Sequence, residues 1–188
     1  VELTGGESFP LPGGLTANVL KGVHHVPSLM YRVDLPRAPR FLPERARELG
    51  VPIDQWGGLQ NGEAVNVDGR IVRPENVLGP PRRGVSLGYM TDTRPVPAAP
   101  DFFRDVDLLV SEGTFGDPAF EEKAVQNTHM TFGEAAMIAK AANAGQLWLT
   151  HFSPSLANPE GDRRFAAEIF PNTVIGFSGL TASLRFRD

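Results

Sequence analysis

The chain of 188 residues contains no cysteine. That excludes a disulfide framework, a thiolate zinc finger and thiol catalysis. Any zinc must be held by histidine and carboxylate, the ligand style of catalytic sites. Histidine is itself scarce: His24, His25, His129 and His151 are the whole supply. No apolar run is long enough for a transmembrane helix. The start, Val1 to Gly6, lacks the basic and apolar regions of a signal peptide, and it lacks an initiator methionine. With no export signal, the cytoplasm is the expected compartment. Repeats and low-complexity runs are also missing.

What is present is ordinary in bulk. Hydrophobic residues make up 41% and charged residues 21%, the balance of a soluble globular protein. One domain is the default at this length. The net charge of −4 gives no global nucleic-acid signature. The distribution is less even. The span 21–104 carries a small basic surplus, while 105–122 carries acids and no base. A basic front half could meet a polyanion, but a solvated mixed surface accounts for the charge equally well.

Short strands are expected on either side of Pro10 to Gly14, and another over Ser28 to Val33, so His24 and His25 fall in a turn between strands. The span 36–84 differs in kind. It is rich in proline and glycine, with a short helix expected at Pro43 to Leu49 and a hairpin turning at Asp68-Gly69. The rest of it reads as loop with little core material, an arm leaving the domain formed by 1–35 and 85–188. The second half alternates strands and helices. Strands are expected at Val85 to Met90, Asp107 to Val110, Gln146 to Thr150, Thr173 to Phe177 and Leu180 to Phe186. Helical segments are expected near Asp101 to Val106, at Glu121 to Gln126 and at Pro159 to Phe170. Thr131 and Glu134 form a Thr-x-x-Glu capping box before an alanine-rich helix, with Gly145 as its stop.

Polar residues therefore follow several strands: Asp92, Glu112 and His151, with His24 on the hairpin side. Each has a plain structural explanation. Asp92 suits a turn, Glu112 a neighbouring helix cap, and His129 a loop whose backbone satisfies it. Adjacent histidines on an extended segment point opposite ways, so at most one of His24 and His25 enters a site. Taken together, histidine, aspartate and histidine at strand ends, with a glutamate and a further histidine nearby, are the residue types of a hydrolytic two-metal site.

Several segments resemble ribonuclease Z, the tRNA 3′-end-processing endonuclease family of the metallo-β-lactamase superfamily. Val23-His24-His25-Val26-Pro27-Ser28-Leu29-Met30-Tyr31-Arg32 is similar to that family's His-x-Val-Pro-Ser-Leu-Gly-Tyr-Arg segment. The stretch Val72 to Gly84 resembles the end of its arm, Tyr89 to Pro95 its Tyr-Ser-Gly-Asp-Thr-Arg-Pro strand end, and Leu149 to Pro154 its Leu-Thr-His-Phe-Ser-Pro. The pieces cover most of the chain. The resemblance implies an α/β fold, the metallo-β-lactamase αββα sandwich, here mainly its C-terminal half. It implies His24 and His151 as terminal ligands of two zinc ions bridged by Asp92. His129 would protonate the leaving oxygen, and Glu112 would orient it. The implied reaction is removal of 3′ trailers from precursor tRNA by attack of a zinc-bound hydroxide on a phosphodiester. The arm would be a tRNA-binding exosite, with Arg37, Arg40, Arg45, Arg47, Arg70, Arg73, Arg82 and Arg83 suited to phosphates. A homodimer is also implied.

The chain departs from the family at identifiable places. Met130 stands where the family has serine, and Ser111 and Gly113 where it has histidine and alanine. The signature His-x-His-x-Asp-His is absent. It is expected N-terminal to Val1, or on a partner chain. Three ligands split over two metals bind zinc poorly, so the chain alone is expected to be inactive. Other readings are a non-catalytic tRNA-binding or subunit-like protein of this fold, or another phosphodiesterase with it.

Overall fold

A computed structural model describes residues 2–187. In chain order the elements are β1 (Ser8–Leu11), β2 (Leu15–Lys21), β3 (Leu29–Arg37), α1 (Pro43–Glu48), α2 (Trp56–Gln60), β4 (Val65–Val67) and β5 (Arg70–Val72). They continue with α3 (Pro74–Val77), β6 (Arg82–Met90), α4 (Ala99–Phe102), β7 (Leu108–Glu112), α5 (Glu121–Asn127), α6 (Phe132–Ala141), β8 (Leu147–Thr150), α7 (Pro159–Ala167) and β9 (Thr173–Ile175). Two compact units emerge, 1–36 with 85–188, and 37–84. The end residues Val1 and Asp188 lie outside the described ones.

The first unit is built on a seven-stranded sheet in the order β1-β2-β3-β6-β7-β8-β9. Strands β1 to β3 are antiparallel neighbours, and β6 to β9 run parallel. In the parallel part the pairs Gly88↔Leu109, Leu109↔Leu147, Met90↔Ser111 and Ser111↔Leu149 put one row of side chains on one face. That face meets α6, which packs against both α4 and α7. Phe103, Leu109, Phe132, Leu147 and Leu149 are fully buried there. Full burial of one such side chain is worth about 1.5–3 kcal/mol. Alanines at 135, 136 and 139 let α6 lie close to the strands. Gly88 has a stricter reason: a Cβ there would stand 2.6 Å from the Phe103 ring. The opposite face carries Tyr89, Val110 and Trp148 beside an open groove of about 460 Å³.

The capping box of α6 is complete, with Thr131 and Glu134 exchanging side-chain and backbone hydrogen bonds. The helix stops earlier than Gly145, at Asn143, whose φ of 52° is left-handed. Gly145 serves packing instead, since a Cβ there would lie 2.6 Å from the Asp107 carbonyl. The strand expected at Leu180 to Phe186 is absent among the described residues. Its alternation is right, but a strand also needs a neighbour to take its N–H and C=O groups. The hydrogen-bonded ladder ends at β9.

The unit 37–84 is more ordered than its proline and glycine content suggests. Helices α2 and α3 stand where the sequence pattern predicts loop. Ala46, Val51, Leu59, Val72 and Val77 form a small core of their own. Trp56 packs beside Phe41 and donates its indole N–H to the Val51 carbonyl. The β4-β5 hairpin turns at Asp68 and Gly69, both at positive φ.

Candidate metal and catalytic site

Parallel strands in register end together, and their C-terminal ends form a rim. Glu112 pairs with Thr150 at the last step of β7 and β8. Asp92, two residues past β6, and His151, one past β8, stand on the same rim with left-handed φ of 48° and 57°. The loop between β2 and β3 brings His24 there, and the joint between α5 and α6 brings His129. The His24 and His129 ring centroids are 5.0 Å apart, and those of His129 and His151 5.2 Å. His151 Nε2 lies 3.0 Å from Asp92 Oδ1. His24, Asp92 and His129 offer ligand atoms all within 4.8 Å of one another, and so do Glu112, His129 and His151.

Glu112 is fully buried and saturated with donors. Its Oε1 accepts the Thr93 N–H at 2.6 Å. Its Oε2 accepts the Thr114 hydroxyl at 2.8 Å and the Met130 N–H at 3.0 Å. His129 Nδ1 lies 3.1 Å from the same oxygen, and with the carboxylate receiving, that nitrogen donates. His151 is held in the same manner at one remove. Thr114 spends its proton on Glu112, so its oxygen accepts from His151 Nδ1 at 3.2 Å. Both histidines thus leave Nε2 for the rim, and that of His151 faces Asp92. A histidine whose Nδ1–H is anchored on a carboxylate is oriented to ligate a metal or carry a proton through Nε2.

The joint carrying His129 is strained. Thr128 has φ of 59°, an outlier for a β-branched residue that costs roughly 1–3 kcal/mol. It closes α5 in a Schellman pattern, with the His129 N–H donating to the Ala124 carbonyl at 2.9 Å. Its hydroxyl accepts the His25 N–H at 3.3 Å. The departures noted in the sequence have local causes. Met130 is fully buried in the core. Ser111 is buried and donates to the Glu112 carbonyl at 2.8 Å. A Cβ on residue 113 would stand 2.7 Å from Phe132.

His24, Asp92, Glu112, His129 and His151 are thus gathered in one place. The site opens into a cavity of about 580 Å³ lined by His24, His129 and His151, and the exposed His25 lines it too, with Lys123 and Asn127. The eight arginines expected to meet phosphates all lie in the 37–84 unit. Arg40, Arg45, Arg47, Arg70, Arg73, Arg82 and Arg83 are exposed, and Arg37 is half-buried. Arg47 lies 5.4 Å from the Trp56 ring, and Arg82 donates Nε–H to the Ala38 carbonyl at 2.8 Å. Sequence reasoning missed Thr93, Arg94 and Thr114. Thr93 and Arg94, directly after Asp92, and Thr114, two residues after Glu112, were the available signal. The donor set fits a hard or borderline divalent metal, being imidazole and carboxylate with a carboxylate behind the imidazoles.

The family profile described as a beta-lactamase superfamily domain matches residues 74–152. Ribonuclease Z of Lachnoclostridium phytofermentans is 38% identical over 186 residues, covering 99% of this chain and 61% of that protein. Ribonuclease Z of Clostridium kluyveri is 39% identical over 189 residues, covering 100% of the chain and 62% of that protein. Over nearly its whole length the chain is similar to ribonuclease Z proteins, and its middle to a beta-lactamase superfamily domain. It spans about three-fifths of the length of these ribonuclease Z relatives. The fold agrees. A metallo-β-lactamase fold protein from Bacillus subtilis superposes with a TM-score of 0.61 at 21% identity, covering 96% of this chain and 54% of that one. Human tRNase Z, short form, gives 0.55 at 16% identity, covering 95% and 47%. No helix of the described residues is long and apolar enough to cross a membrane.

Proposed function

We propose that this chain is the C-terminal portion of a zinc-dependent endoribonuclease that removes 3′ trailers from precursor tRNA in the cytoplasm. The observation that carries the reading is the convergence of His24, Asp92, His129 and His151 on one rim, behind a single buried Glu112, in a chain matching ribonuclease Z over nearly its whole length. His24, Asp92 and His151 would hold zinc, two ions in the complete enzyme. Zinc when bound supplies Lewis acidity toward water and the phosphodiester. Asp92, close to both His24 and His151, would hold metal together with either histidine.

The protein's own part is proton handling and placement. As water adds to phosphorus and gives its proton to a base on the segment that carries the further ligands, the P–O3′ bond breaks and charge builds on the leaving 3′-oxygen. His129 gives that oxygen a proton from Nε2, and Glu112 stabilises the ring through Nδ1. The products are tRNA with a 3′-OH and a trailer with a 5′-phosphate. The 37–84 unit would be the tRNA-binding arm, its exposed arginines meeting backbone phosphates. The enzyme would act as a homodimer. The further zinc ligands, a His-x-His-x-Asp-His motif, would come from a longer chain or a partner chain.

The test is cleavage of a precursor tRNA by this chain, alone and joined to a segment carrying that motif. Cleavage leaving a 3′-OH is expected only with the segment and zinc. Zinc-independent cleavage, or a cyclic phosphate product, would count against the mechanism. In the joined protein, His151→Ala is expected to lower bound zinc and abolish turnover. His129→Ala should slow turnover about 10²–10⁴-fold and keep the zinc. Zinc loss in the second variant would remove His129 from its acid role.

A further inference from the structure

Arg94 has no task in the reaction above, yet it is placed with care. Its side chain is 18% exposed. One Nη donates to the His129 carbonyl, and the guanidinium forks onto both Glu134 oxygens, with Nη1–Oε2 at 3.0 Å. Glu134 in turn accepts the Thr131 N–H at 2.9 Å in the capping box of α6. The Arg94 N–H donates to the Val23 carbonyl at 2.8 Å, next to His24. Thr93, just before it, donates its N–H to Glu112 and accepts the Val23 N–H at 2.8 Å. Asp92, Thr93 and Arg94 are consecutive. This one loop therefore carries a candidate metal ligand and grips the three segments that bear His24, Glu112 and His129.

We propose that Arg94 is a positioning residue that fixes where the His129 imidazole stands relative to Asp92. The proposal rests on the ribonuclease reading above. The joint from Thr128 to Thr131 is short and bent through a left-handed threonine. Glu112 holds its imidazole end, and among the described residues only Arg94 holds the carbonyl of His129. With the carbonyl released, the ring can stay on Glu112 and still pivot. A displacement of about 1 Å from productive geometry can cost about 10²-fold in rate. The task calls for arginine: one planar fork reaches a carboxylate with two nitrogens and a carbonyl besides, which a lysine ammonium cannot match.

The alternative is that Arg94 only secures the start of α6. Arg32 provides the control, because it anchors the carbonyls of Phe102 and Arg104 at 3.1 and 2.7 Å away from the rim and pairs with Asp34. The variants are Arg94→Gln, Arg94→Lys and Arg32→Gln. The imidazole NMR signals of His129 are read in this chain. Zinc content, KM and kcat are read in the joined protein with a precursor tRNA. For Arg94→Gln the His129 signals should move, zinc content and KM should hold, and kcat should fall about 10–100-fold. Arg94→Lys should recover part of that loss. Unmoved His129 signals would overturn the proposal, as would an equal fall in kcat for Arg32→Gln at matched melting temperature. If Arg94→Gln does not fold, Arg94→Lys is judged by the same signals. If the parent cleaves no tRNA, the functional reading fails while the NMR result still decides the positioning.

Discussion

The rim of the parallel sheet and the 37–84 unit solve opposite problems. The rim gathers few charges and satisfies each one. Glu112 is fully buried under four donors, and Arg94 is closed onto Glu134 and the His129 carbonyl. The 37–84 unit has a core of five small or medium apolar side chains and places most of its arginines in water. Chemistry needs groups held to fractions of an ångström, so it is built where strands end in register above a buried, fully bonded carboxylate. Attraction to a polyanion needs charge and solvent-accessible reach, which a small, lightly stabilised unit can supply.

The comparison breaks first at Glu112. Replacing it with alanine leaves the buried Thr93 and Met130 N–H groups without their acceptor and releases both histidines. An expected loss of about 2–4 kcal/mol of stability should appear as a lower melting temperature, together with weaker zinc binding. A melting temperature unchanged from the parent would mean the network is not what holds the rim.

The arm sharpens the contrast in the other direction. Arg82→Ala with Arg83→Ala should leave stability nearly unchanged and weaken tRNA binding across sequences. The slope of log affinity against log salt should flatten by about 1 for each phosphate that is no longer neutralised. Binding and slope equal to the parent's would withdraw those two arginines from the interface.

The smallest effect belongs to Glu7, a half-buried counterpart of Glu112. The Thr4 N–H at 2.8 Å and then the Thr4 hydroxyl at 2.7 Å hold its carboxyl from an ordinary 4.5 down to about 2. A depressed folded-state pKa stabilises above the unfolded value, and the benefit disappears as pH falls through about 2. Glu7→Gln should therefore speed amide exchange at Thr4 and Gly5 at neutral pH. The difference should shrink from about pH 4.5 and vanish near pH 2. A difference that persists in acid would assign the turn to packing instead of charge.

Local signals were legible where one segment contained the whole cause. Thr131 and Glu134 announce α6 because a capping box is completed within four residues. The apolar run before His151 announces β8, and Asp68-Gly69 announces its hairpin. Signals failed where the cause lay elsewhere. Leu180 to Phe186 alternates like a strand but has no ladder to join. Helices α2 and α3 hide among prolines and glycines because their support is the small core around Leu59 and Val77. Thr128 gives no hint of a left-handed turn, since only the surrounding contacts can hold a β-branched residue there.

The sequence alone determined the chemistry on offer. Without cysteine, a metal had to be met by imidazole and carboxylate, and those residues sit at the ends of recognisable strands. Tertiary structure decided how they combine. The register of β6, β7 and β8 brings Asp92, Glu112 and His151 to one edge. The Thr93–Arg94 hydrogen bonds draw His24 and His129 to it from distant parts of the chain. Glu112 became the shared anchor of two histidines through Thr114, a link between residues 37 apart that no local pattern encodes. Spacing along a strand or helix records only local periodicity, whereas a site is set by which distant groups the folded backbone holds within hydrogen-bonding distance.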